Sequence, residues 1–221
     1  PGEYPALMDY QSVLLKIYRR LIECYGLQNW WPADSPFEVM IGAILTQNTS
    51  WTNVEKAINN LKQVKALNVR TILELSEENL AKLIRPSGYF NIKTKRLKYF
   101  VNWFETEGRF NGLNDLDTKT LRKRLLKVNG IGPETADDIL LYAFERPVFV
   151  IDTYTRRLFK TLNLISGDEP YEALRHFFES SLTPDVTLFK EYHALIVRHA
   201  KEKCTFENSC LHCRVESPLS V

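Results

Sequence analysis

Residues Val128 to Asp152 read VNGIGPETADDILLYAFERPVFVID, and this stretch decides the fold. It opens on Gly130-Ile131-Gly132, a tight turn that glycine makes at little steric cost. Pro133 follows, suited to the first turn of a helix, where a missing N–H is no loss. Glu134, Asp137 and Asp138 place negative charge near the start of that helix, where its dipole favours it. Ile139, Leu140, Leu141 and Ala143 continue with helical apolar spacing. Upstream, Leu121, Leu125, Leu126 and Val128 form a similar stripe among basic residues. The pattern is helix, glycine hairpin, helix. The second helix runs into Val148-Phe149-Val150-Ile151, an apolar segment that delivers one acid, Asp152.

Working outward, the 221 residues are 44% hydrophobic and 25% charged, a globular composition with enough chain for a sizeable core. The net charge of +2 is too small to announce a nucleic-acid partner by itself. Its distribution says more. Arg85 to Lys98 carries five basic residues and no acid, and Lys119 to Lys127 repeats this. Such clusters suit phosphate contact or a solvated helix face. No apolar run approaches the roughly 18 residues of a membrane span. The N-terminal residues lack a signal pattern, so a soluble, cytoplasmic protein is expected.

Cap residues punctuate the chain. Asp9 or Ser12 opens a helix to about Tyr25, with Val13, Leu14, Ile17, Leu21 and Ile22 as its buried stripe and Gly26 as its stop. Ser35-Pro36-Phe37-Glu38 is a capped helix start. The helix that follows, to about Leu45, is apolar nearly all round and therefore a core helix. Thr46-Gln47-Asn48-Thr49-Ser50-Trp51 interrupts it, and a helix from Thr52 to Val64 comes next. Ser76 caps a short helix ending near Ile84. Pro86 and Gly88 force a turn. Lys93 to Phe104 resumes helix, and Asp117 caps the helix with the second basic cluster. Helices are expected from Asp152 to about Asn163, over Pro170 to Leu182 and over Asp185 to Lys203. Only Pro147 to Ile151 reads as a strand. The fold class is all-α, with about ten helices.

The hairpin with its aspartate resembles the helix-hairpin-helix element of the endonuclease III superfamily of DNA glycosylases. Val128, Gly130, Ile131, Gly132, Thr135, Ala136 and Asp152 carry the resemblance. It implies two helical lobes with a cleft between them and the hairpin and aspartate at its mouth. One lobe would span residues 36–145 and the other residues 3–35 plus 146–221. It also implies double-stranded DNA with a damaged base as the partner, bound by a monomer.

Such chemistry needs three kinds of group, because the target nucleotide must leave the stack before its bond can be cut. Donors for phosphate come from the hairpin, with Gly130, Ile131, Gly132 and Thr135 as candidates. Asp152 would stabilise the cationic sugar and orient water; it also suits the cap of the next helix. Aromatic faces would receive the base. Trp30-Trp31-Pro32, Gln47-Asn48-Thr49 with Trp51, and Arg85-Pro86-Ser87-Gly88-Tyr89 resemble the branch containing a 3-methyladenine DNA glycosylase. Trp30, Trp31, Pro32, Trp51 and Glu134 thus form the candidate base pocket, suited to a cationic alkylated base. Asn48, or alternatively Gln47, would fill the gap left by the flipped nucleotide.

Glu134 stands where bifunctional relatives carry a lysine, and a carboxylate cannot form an imine. The expectation is a monofunctional glycosylase. A bifunctional glycosylase/lyase and a catalytically silent DNA-binding module are the alternatives. No cofactor is needed for the hydrolysis, although relatives hold a monovalent cation through hairpin carbonyls. Cys24 stands alone, while Cys204, Cys210 and Cys213 cluster at the C-terminus. Relatives with a [4Fe–4S] cluster have four such cysteines, and here the fourth, expected near Leu219, is absent. Zinc with His212 or His199 is a further option, and a metal-free tail the favoured one.

Overall fold

A computed structural model of the chain describes residues 9–30 and 33–202. These residues form twelve α-helices and one 3-10 turn, Arg85–Ser87. The chain separates into two compact units, Pro1–Trp30 with Pro147–Val221, and Trp31–Arg146.

The middle unit is built around α2, Pro36–Leu45. Ser35 starts it, its hydroxyl accepting from the Glu38 amide at 3.2 Å, with Pro36 at the first helical position. Every residue from Glu38 to Leu45 is buried, which explains the lack of a polar face. Packed around it are α3 (Trp51–Gln63), α6 (Phe90–Thr106) and α9 (Pro133–Tyr142), with α5 (Glu77–Ile84) packed in turn on α3 and α6. The expected stripe Leu97, Phe100, Val101 and Phe104 faces this core. α8, Thr118–Leu125, is capped by Asp117 and buries Leu121 and Leu125. Two short helices add to those expected from the sequence: α4, Val69–Glu74, and α7, Arg109–Asn114.

The other unit joins α1 (Tyr10–Tyr25) to α10 (Thr153–Thr161), α11 (Tyr171–Ser181) and α12 (Val186–Glu202). Asp9 caps α1 through the Ser12 amide. Aromatic rings fill the interior, where offset and edge-on contacts are the favoured geometries. Phe149 stacks on Phe178 at 4.4 Å. It meets Phe189 edge-on at 5.3 Å. The Tyr192 hydroxyl donates to the Leu14 carbonyl at 2.8 Å.

The expected strand at Pro147 to Ile151 does not form, and no residue among those described is in a strand. The segment is buried and extended, but its amides find side chains instead of a partner strand. Phe149 donates to a Glu179 carboxylate oxygen at 2.9 Å. Ile151 donates to the Tyr171 hydroxyl at 3.3 Å. Among the described residues no helix is long and apolar enough to cross a membrane.

Candidate active site

Asp152 stands at the N-cap of α10, extended at φ −99°. One carboxylate oxygen, Oδ1, accepts from the Thr155 amide at 2.7 Å. That is the ordinary capping bond. The other, Oδ2, lies 3.3 Å from Nε2 of His193 on α12. The Trp30 ring packs against His193 with centroids 5.8 Å apart. So Trp30, His193 and Asp152 converge within one unit of the chain. Burial is the largest influence on Asp152 and pushes its pKa up. The hydrogen bond and charge of His193, together with the Thr155 bonds, outweigh it and hold the carboxyl below its ordinary 3.8. Asp152 is therefore an ionised carboxylate in a nearly closed setting, 9% exposed. Sequence reading had no hold on His193, which sits on a helix of buried residues between Tyr192 and Leu195.

In the middle unit the hairpin has the expected form. α8 ends at Leu125, Ile131 donates back to the Val128 carbonyl at 3.1 Å, and Gly132 caps α9 with Pro133 at its first position. Gly130 takes φ +88°, the left-handed region. The two glycines differ in what surrounds them. A Cβ at Gly130 would lie 2.3 Å from Cγ of Arg96, whereas a Cβ at Gly132 would meet nothing within 4 Å. The side of Gly130 toward which a Cβ would point is thus taken by an arginine stem, and the same side of Gly132 is open. Ile131 is buried, as is Thr135.

Gln47 closes onto this hairpin. Its Nε2 donates to the Gly130 carbonyl and to Thr135 Oγ1, each at 3.0 Å. Its Oε1 accepts from Arg96 Nη1. Asn48, the next residue, is exposed and left-handed at φ +53°. Tyr89 is likewise left-handed, at φ +45°, and 67% exposed. Lys93 is fully buried beneath both turns. Its Nζ donates to the carbonyls of Leu45, 2.7 Å away, and Ser87, 2.6 Å away. Burial, with some repulsion from Arg96, lowers its pKa to about 8.

Much of the first basic cluster is therefore internal. Lys93 and Arg96 are committed as described, and Lys98 reaches the carbonyls of Ile72 and Leu73 at 3.1 Å each. In the second cluster Arg122 pairs with Asp137 and Arg124 with Glu107, which leaves Lys119, Lys123 and Lys127 on the exposed surface.

Trp51 begins α3, and its Nε1 donates to Glu55 at 3.1 Å. Beside it lies a cavity of about 670 Å³ lined by Asp34, Glu38, Gly42, Trp51, Glu55 and Lys62. Glu134 is exposed in the first turn of α9. Trp31, Pro32, Cys204, Cys210, Cys213 and His212 lie outside the described residues. His199, a zinc candidate, is buried and uses Nδ1 on the Tyr25 hydroxyl at 2.8 Å. No group of three metal-ligating side chains occurs among the described residues. The three cysteines of the tail fall one short of the four that hold an iron–sulfur cluster.

Comparison with known proteins fits this geometry. The profile of the HhH-GPD superfamily, base excision DNA repair proteins, matches residues 41–184. A protein of Methanocaldococcus jannaschii, provisionally assigned as a DNA repair glycosylase, is 47% identical over 208 residues, 93% of this chain and 94% of its own length. The crystal structure of the H. pylori 3-methyladenine DNA glycosylase bound to 1,N6-ethenoadenine superposes with a TM-score of 0.74 at 30% identity, covering 91% of this chain and all of that one. A non-covalent endonuclease III–DNA complex superposes with a TM-score of 0.77 at 18% identity, covering 95% of this chain and 94% of that one, a likeness of fold.

Proposed function

We propose that this chain, which belongs to the HhH-GPD superfamily and is a DNA glycosylase of base excision repair, is a monofunctional enzyme that removes an alkylated purine such as 3-methyladenine. The observation that carries the reading is Glu134. The first turn of α9 presents a carboxylate where bifunctional relatives, by the resemblance above, present the amine that attacks the sugar. Without that amine the route left is hydrolysis. Water supplies its oxygen to the sugar C1′ and releases one proton to solvent, the bond from C1′ to the base nitrogen breaks, and the cationic base leaves neutral with the bonding electrons.

Each remaining group takes one part of this reaction. Asp152 faces the positive charge that grows on the sugar and orients the water. His193 is a positioning residue that fixes the carboxylate and keeps it ionised. Trp30, Trp31, Pro32, Trp51 and Glu134 are, by the resemblance, the candidates to contact the base. A purine made cationic by alkylation gains from the aromatic faces among them, and its glycosidic bond is already weakened. The open amide end of α9 at Gly132, with the exposed Lys119, Lys123 and Lys127, would take DNA phosphates. Asn48 is the residue for the gap in the duplex, because Gln47 is engaged by the hairpin. A monovalent cation on the hairpin carbonyls is compatible with this reading and is not required for the chemistry.

Excision from oligonucleotides bearing a panel of lesions tests the substrate. Release of 3-methyladenine, leaving an abasic site in an uncut strand, is the expected result. Borohydride added during turnover is expected to trap no protein–DNA adduct, and a covalent adduct would sink the Glu134 argument. Binding without release of any base would favour a silent DNA-binding module. Gly132→Ala supplies a separate check. The new methyl group meets no protein atom, so the fold is expected to persist, while affinity falls to a similar degree for every DNA sequence. Sequence-selective loss would contradict a phosphate role.

A further inference from the structure

Gln47 uses every polar atom of its amide inside the protein. Both Nε2 hydrogens are given, to Gly130 O and Thr135 Oγ1, and Oε1 receives Arg96. The amide orientation is fixed by this set, since a reversed amide would point oxygen at the Gly130 carbonyl. Arg96, from α6, completes the contact on a second side. Its stem passes over Gly130 so closely that only glycine fits beneath it. Three segments distant in sequence are thus tied at one point: the loop after α2, helix α6 and the hairpin. Gln47 and Gly130 are 83 positions apart.

We propose that Gln47 and Arg96 are positioning residues that lock the Asn48 loop to the hairpin, so that the phosphate grip and the gap-filling side chain act on DNA as one body. The proposal rests on the glycosylase reading above. Flipping a nucleotide costs a few kcal/mol in lost stacking and pairing. A side chain pushed into the duplex recovers part of that cost only if the strand cannot slide away from it. The hairpin prevents sliding only if the loop is fixed to it. Asn48 adjoins the tie directly and is the exposed, left-handed residue of the loop.

The tie predicts a loss that depends on how much flipping the substrate demands. With the lesion fully paired, Gln47→Ala is expected to lower single-turnover excision about tenfold or more, a fraction of the flipping cost. With the lesion in an unpaired bubble, where flipping is nearly free, the deficit should shrink severalfold. Gln47→Glu keeps an acceptor for Arg96 but places a carboxylate against the Gly130 carbonyl, so it should fail like alanine. Arg96→Met should reproduce the same substrate pattern, with a melting temperature near the parent's. Equal losses on paired and bubble substrates would overturn the proposal. So would a full loss in Gln47→Ala beside a normal Arg96→Met, which would mean that Gln47 itself enters the DNA.

A readout without turnover separates this from the glycosylase reading. Duplex DNA with a tetrahydrofuran abasic analogue next to 2-aminopurine reports unstacking as increased fluorescence when protein binds. The parent should raise the signal. Gln47→Ala and Arg96→Met should bind and raise it much less. If the parent excises nothing from the lesion panel, the glycosylase reading falls, and the tie is still judged by this signal. Variants that match the parent there would refute it.

Discussion

Asp152→Asn is expected to lower base excision by about two to four orders of magnitude, the range in which positioned acid–base groups contribute. The substitution is nearly isosteric. Asparagine is as good a helix N-cap as aspartate. The bond from the Thr155 amide, 2.7 Å long in the parent, can therefore persist and α10 should still form. What disappears is the negative charge. The contact with His193 at 3.3 Å is reduced to a neutral hydrogen bond, and a growing sugar cation meets a dipole instead of an anion. Single-turnover release of the alkylated base, with circular dichroism to verify the helices, measures the effect. A variant that excises at the parent's rate would show that Asp152 only caps α10. The same carboxylate sets the acid limb of the pH profile. Its folded pKa lies below the ordinary 3.8, so the ionised form is favoured by folding. That contribution is fully present above pH 3.8 and lost as pH falls through the lower folded value. Excision should therefore show no loss from Asp152 titration between neutrality and about pH 5. A fall centred near pH 6 would have to come from another group.

The parts of this molecule visible in its sequence were those fixed by neighbouring residues. Asp9, Ser35, Ser76 and Asp117 each cap a helix through an amide three positions on; the last three are legible directly, and Asp9 is one of the two candidates for the first start. The glycine hairpin was legible for the same reason. The errors were non-local. Pro147 to Ile151 looks like a strand because it is apolar and β-branched, yet its amides are satisfied by Glu179 and Tyr171, 30 and 20 residues further on. α4 and α7, six residues each, are too short for a period to show, although the Asn68 cap marks the first of them. The first basic cluster read as a DNA-facing or solvated stripe. Its lysines 93 and 98 instead tie carbonyls from other helices, a use that charge counting cannot detect. Asp152 was found through a family pattern. His193 and the role of Gln47 depend on contacts across 41 and 83 positions, for which one sequence holds no signal.

The helix-hairpin-helix also has a vulnerable support, and Asp137→Ala is expected to destabilise the protein by about 3–5 kcal/mol, the usual cost of removing one partner from a buried ion pair. Arg122 of α8 grips Asp137 of α9 with both ends of its guanidinium, Nε to Oδ1 at 2.7 Å and Nη2 to Oδ2 at 3.1 Å. The carboxylate is fully buried and the arginine side chain 12% exposed, so little water can replace the lost partner. For a chain of this length each kcal/mol shifts the melting temperature by roughly 2–4 °C, which predicts a fall of roughly 6–20 °C. The pair also joins α8 to α9 across the hairpin. Lys119, Lys123 and Lys127 stand exposed on or just after α8, while the open amides are those of α9. Loosening the two helices therefore separates groups that must meet one phosphate backbone together. DNA affinity measured well below the melting temperature should fall as well, with a smaller salt slope as fewer phosphates are engaged. The paired replacement Arg122→Met with Asp137→Leu distinguishes packing from charge. It removes both buried ions and can restore stability. If it restores stability but not the salt slope, the bidentate geometry is what orients the hairpin. If both singles leave the melting temperature unchanged, the pair contributes nothing and the helices are held by Leu121, Leu125 and the α9 core alone.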